Sequence, residues 1–192
     1  MQNKKIYFDT ETTGTHPVKN DIIQIAGVIE IDGQEKERFN FTCQPFSWEN
    51  IDQEALDVHG MDEEKLKTFK KPGEVYQELK TIFTGHVNPY DRDDKFIVCG
   101  YNVKFDIDFL SEFFKKNGNN YLFSFFGTVK DPLPILNYLK SIGKIDSENL
   151  KLFQACEFFG IDIKNAHDAL ADIEATKAII EKTDELMNQI KI

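Results

Sequence analysis

Asp9 and Glu11, in the string YFDTETTG, sit two residues apart at the end of an apolar run. Strand side chains alternate between faces, so both carboxylates point the same way. Two carboxylates that close repel unless a cation or a proton lies between them. Taken alone, D-x-E also reads as an acidic strand end facing solvent. The apolar lead-in and the Thr-Thr-Gly that follows favour chemistry, because small residues and a tight turn let a phosphate or sugar come close. Asp106, in NVKFDIDFL, follows an apolar run and opens a helical one. Its plainer reading is an N-cap, and Asp108 is a weaker alternative. His167 and Asp172 lie in NAHDALADIEAT, the histidine before a helix and the aspartate within it. Ala169, Ala171 and Ala175 let that helix press close to a neighbour, so Asp172 could face a buried site. The competing reading is a solvated acidic turn at a helix N-terminus, capped by Asp168 and favourable by ~0.3–1 kcal/mol.

The elements that must position these residues follow from pattern. Residues 4–9 read as a buried strand, 10–20 as a Thr/Gly/Pro loop, and 21–31 and 34–43 as strands joined by the hairpin signal Asp32-Gly33. Two short helices are expected around His59-Gly60, and a third after Pro72. Residues 85–95 are polar and read as a loop. A strand over 96–101 precedes a helix over 107–116, and 121–129 reads as another strand. Helices over 132–142, 150–159 and 169–189 complete the chain. Three strands followed by alternating strands and helices imply an α/β fold with a mixed sheet, the opening meander supplying one antiparallel strand. Reactive residues in such sheets gather near strand ends.

Composition narrows the class. The 192 residues suit one domain spanning the whole chain. A formal charge of −10 argues against a general duplex binder, whose footprint would be basic. It is compatible with an acidic cluster that holds Mg2+. Three scattered cysteines form no C-x-x-C pair and read as buried thiols in a reducing compartment. No signal peptide or membrane span is evident, and the expected location is cytoplasmic.

Together, in this order, the motifs resemble the DEDDh 3′–5′ exonuclease family, the group of the proofreading epsilon subunit of bacterial DNA polymerase and of ribonuclease T. FDTETTG is similar to its first motif, giving Asp9 and Glu11. Its N-x-x-F-D motif matches Asn102, Phe105 and Asp106, and its H-x-x-x-x-D motif matches His167 and Asp172. His59-Gly60 and Asp131 also sit where similar proteins carry such residues. The resemblance spans residue 6 to about residue 180. It implies a ribonuclease H-like, mixed five-stranded sheet flanked by helices. It also implies catalysis by Asp9, Glu11, Asp106, His167 and Asp172 on the 3′ ends of single-stranded DNA or RNA.

Four carboxylates in one pocket need cations, and hard oxygen donors select Mg2+ or Mn2+. The expectation is two ions per site ~3.5–4 Å apart, with Asp9 bridging, Glu11 and Asp172 on one ion and Asp106 on the other. His167 is the expected general base. Substrate contacts are expected from Thr10, Thr12, Thr13 and Gly14 near the terminal sugar, with His59 and Asn102 as polar contacts and Phe105 as a base-stacking surface or a core residue. Lys104, Lys115, Lys116 and Lys164 are expected to be solvated, with phosphate tracking as the alternative. The chain closes on its last helix, so a tail tethering it to a polymerase is not expected. A non-catalytic binding module and a nucleotide phosphatase are the rival classes.

Overall fold

The structure, a computed structural model, describes residues 2–162 and 169–189. Five strands form one sheet in the order β3-β2-β1-β4-β5. β1 (Lys4–Thr12) pairs antiparallel with β2 (Ile22–Ile31), which pairs antiparallel with β3 (Gln34–Thr42). β4 (Phe96–Cys99) and β5 (Phe126–Lys130) join in parallel. β2 is therefore the one strand running against the rest. Asp32 and Gly33 turn the β2–β3 hairpin, both at positive φ (53° and 78°), the geometry a two-residue primed turn requires.

Helices α1 (Gln53–Val58), α2 (Glu63–Lys67) and α3 (Pro72–His86) follow β3. α4 (Lys104–Lys116) connects β4 to β5, and α5 (Leu133–Ser141), α6 (Leu152–Phe159) and α7 (Ala169–Asn188) follow. One face of the sheet meets α3 and α4: Ile6 and Phe8 of β1 pack with Val75, Leu79, Phe83, Phe109, Leu110 and Phe113. The other face meets α7, where Tyr7, Ala26, Val28 and Cys99 pack with Ala169, Ile173 and Ile180. All three cysteines are buried and free. Among the described residues, no helix is long and apolar enough to cross a membrane.

Three local expectations need correction. β1 does not end at Asp9 but runs to Thr12, because β2 keeps pairing with it past the apolar stretch (Asp9↔Ala26, Thr10↔Ile25, Glu11↔Gln24). The segment 121–129 is not one strand: Leu122–Ser124 form a 3-10 turn that buries Leu122 before β5 begins at Phe126. α4 starts at Lys104, with Val103 at the N-cap position, so Asp106 lies inside the first turn and is not the cap.

Candidate active site

The alternation of β1 sorts the residues of DTET onto two faces. Asp9 and Glu11 follow Tyr7 toward α7, while Thr10 follows Phe8 toward α4. Asp9 lies close enough to Asp106, Glu11 and Asp172 to feel the charge of all three. Burial first, and then these three carboxylates, hold its carboxyl well above the usual carboxylate range. Asp106 is pushed up to about 7, mainly by burial. Two hydrogen bonds oppose that shift: the backbone N–H and the hydroxyl of Thr10 both donate to Asp106 Oδ1, at 3.0 and 2.7 Å. Glu11 adds repulsion. Asp172 also raises the thiol of Cys156 on α6, after burial, so its charge is felt on both β1 and α6. His167 lies outside the described residues, as do Lys164 and Asp168.

His59, in the turn after α1, brings Nδ1 to 2.7 Å from Glu11 Oε2. The nitrogen is buried, and the contact is close without the geometry of a hydrogen bond. Glu11 and Asp106 thus each have an oxygen turned to a protein partner. No group of three or more acidic, histidine or cysteine side chains among the described residues closes into a ready cation cage.

The Thr-Thr-Gly turn is tied into the fold through its side chains. Thr10 is buried and its hydroxyl donates to Asp106, so it holds that carboxylate. Thr12 donates to Gly14 O at 2.6 Å. Thr13 is fully buried, and its hydroxyl oxygen accepts from Asp21 N at 2.9 Å. Gly14 is required by packing, since a Cβ there would come within 2.1 Å of Asp52 Oδ2 and 2.5 Å of Asn20 Nδ2. These four residues build the β1 exit, with the three threonine hydroxyls engaged within the fold. Phe105 is partly buried against the core, with its ring 4.7 Å from that of Phe109. Asn102 is exposed at the mouth of the β4–α4 turn.

The lysines divide differently again. Lys116 reaches the buried Asp21 at 2.6 Å, and Lys104 and Lys115 pair along α4 with Asp108 and Glu112. Lys116 is partly buried by its partner, while Lys104 and Lys115 stay solvated on the surface of α4.

Asp131, the residue after β5, carries more structure than its sequence signal suggests. Oδ1 accepts from the backbone N–H of Asn102 (3.1 Å) and Leu133 (3.0 Å), and Oδ2 from Val103 (3.1 Å). It therefore caps the start of α4 from a distance and fixes the turn in which Asn102 takes a positive φ of 56°. Gly100 completes that turn, because a Cβ there would lie 2.4 Å from Val103 Cγ2. An aspartate one residue past a strand was the available signal.

The topology and the acidic cluster at the end of β1 define a ribonuclease H-like nuclease fold. The chain belongs to the exonuclease family (RNase_T), whose model matches residues 6–180. It is 27% identical over 176 residues to a DNA polymerase III PolC-type protein of Halalkalibacterium halodurans, covering 92% of this chain and 11% of that one. It is 27% identical over 184 residues to ribonuclease T of Buchnera aphidicola, covering 89% of this chain and 79% of that one. The chain thus spans about a tenth of the PolC-type relative. Its fold is similar to that of E. coli exonuclease I in a zinc-bound complex with single-stranded DNA (TM-score 0.79, 22% identity, 98% of this chain and 42% of that one).

Proposed function

We propose that this chain is a divalent-metal-dependent 3′–5′ exonuclease that hydrolyses the terminal phosphodiester of single-stranded DNA and releases nucleoside 5′-monophosphates, its 192 residues acting as one exonuclease domain in the cytoplasm. The observation that carries this reading is the setting of Asp9, a half-buried carboxyl surrounded by the charges of Glu11, Asp106 and Asp172 in a chain of the exonuclease family.

A cluster of carboxylate oxygens of this kind fits Mg2+ or Mn2+. Asp9, Glu11, Asp106 and Asp172 would hold two such ions, which supply positive charge against the phosphate and ease deprotonation of the attacking water. His167 takes the proton of that water on its neutral imidazole. Thr10 holds Asp106 in place through its two hydrogen bonds. His59 stands against Glu11, at 2.7 Å, where it would meet the terminal nucleotide.

A second reading, an exoribonuclease trimming RNA ends, is favoured by the likeness to ribonuclease T, most of whose length is covered. The PolC-type relatives support association with a polymerase. The test is digestion of single-stranded DNA and RNA oligonucleotides labelled at either end, with Mg2+, Mn2+ or EDTA. Laddering from the 3′ end that EDTA abolishes is the expected result, with DNA cut faster than RNA. Release of inorganic phosphate, or no cleavage at all, would overturn it.

A further inference from the structure

We infer that a groove beside the carboxylates is the track for the nucleotides lying 5′ of the bond that is cut. This rests on the exonuclease reading above.

The groove has a volume of about 470 Å3 and is lined by Tyr101, Asn102, Leu133, Asn137, Lys151 and Leu152, with Leu150 beneath. It lies next to the site, because Asn102, whose carbonyl accepts from Phe105 N, stands one helical turn before Asp106. Its walls are fixed to one another. Asp131 accepts from Asn102 and Val103 on one bank and from Leu133 on the other. The Tyr101 hydroxyl donates to Leu150 O at 2.7 Å across the floor. Rigid walls spare a bound strand the cost of ordering them.

The surface chemistry fits a single-stranded polynucleotide. The floor of ring and leucine carbons is apolar, while Asn102 and Asn137 offer exposed amides at the edges. Lys151 is exposed at the rim, and no ion pair with a described residue holds its ammonium group, unlike the three lysines of α4 that are already paired. In a chain of net charge −10, an uncommitted cation beside the site is where a phosphate would be met. Next to these residues along their helices, Phe153 is 52% and Tyr138 is 65% exposed. Exposed rings near a cation and amides offer bases a place to stack and the backbone a charge to meet, without sequence preference.

The test compares kcat/KM for an oligothymidylate octamer with that for the dinucleotide, in the intact chain and in Lys151→Glu, Phe153→Ala and the double variant. Both positions are exposed, and thermal melts monitor folding. The octamer-to-dimer ratio should fall about tenfold in the double variant, through KM rather than kcat, with Lys151→Arg restoring most of the loss. An unchanged ratio in folded variants overturns the groove while leaving the exonuclease reading intact, and is the outcome expected if the groove serves another protein. If the intact chain cuts neither substrate, the exonuclease reading falls and the groove with it.

Discussion

Thr10 and Asp106, ninety-six positions apart in the chain, are joined twice: the N–H and the hydroxyl of Thr10 both end on the same oxygen, Asp106 Oδ1. The bond ties the first motif to the second and favours the charged form of a carboxyl that burial pushes up to about 7. Thr10→Val keeps the branched shape and deletes the hydroxyl. We expect it to cost roughly 1.5–3 kcal/mol, as for a hydrogen bond to a charged group. The cost should be larger above pH 7 than near pH 5, because only ionised Asp106 needs the donor. Urea unfolding at the two pH values checks this.

Asp131 carries three backbone N–H bonds. Asp131→Ala leaves those groups unpaired and frees the start of α4, for an expected loss of roughly 2–4 kcal/mol in urea unfolding. Asp131→Asn retains one carbonyl acceptor and should recover part of it. Equal losses in the two variants would show that the acceptor does not matter.

The carboxylate cluster sets a pH dependence. The carboxyl of Asp106 sits at about 7 in the fold against 3.8 for the free side chain, and that of Asp9 is raised as well. Both folded values lie above the unfolded ones, so between 3.8 and 7 the folded chain holds more protons than the unfolded chain. Stability contributed by these groups therefore falls as pH rises through that window, by up to about 1.4 kcal/mol per pH unit for each extra proton. Divalent ions should replace the protons. The rise in Tm on adding Mg2+ should be larger above the window than below it, as differential scanning calorimetry can record.

His167→Ala should lower kcat by roughly 100-fold or more, while Mn2+ binding measured by titration calorimetry stays near that of the intact chain. Loss of Mn2+ binding would place the imidazole among the metal ligands instead.

Much of the site can be read in the sequence because it rests on short-range rules. The period of a strand alone puts Asp9 and Glu11 on one face, and the alanines beside Asp172 mark a helix able to approach β1 closely. What pattern does not reveal depends on partners distant in sequence. Pairing with β2 carries β1 through Thr12, where composition reads as loop. The partner of Thr10 is on α4, and two of the three donors to Asp131 lie in the turn before α4, so no local window shows either. The same limit explains the Thr-Thr-Gly turn, where small residues fit an approaching ligand and a crowded interior equally well. The neighbours of Gly14, Asn20 and Asp52, show how crowded that interior is.

The central claim is that four carboxylates on β1, α4 and α7 form one site for divalent ions. Mn2+ binding counted by electron paramagnetic resonance, in the intact chain and in Asp9→Asn, tests it most directly. The account predicts two ions per intact chain and neither held tightly once Asp9 has lost its charge. An intact chain that binds none, or an Asp9→Asn chain that binds as the intact one does, would contradict it.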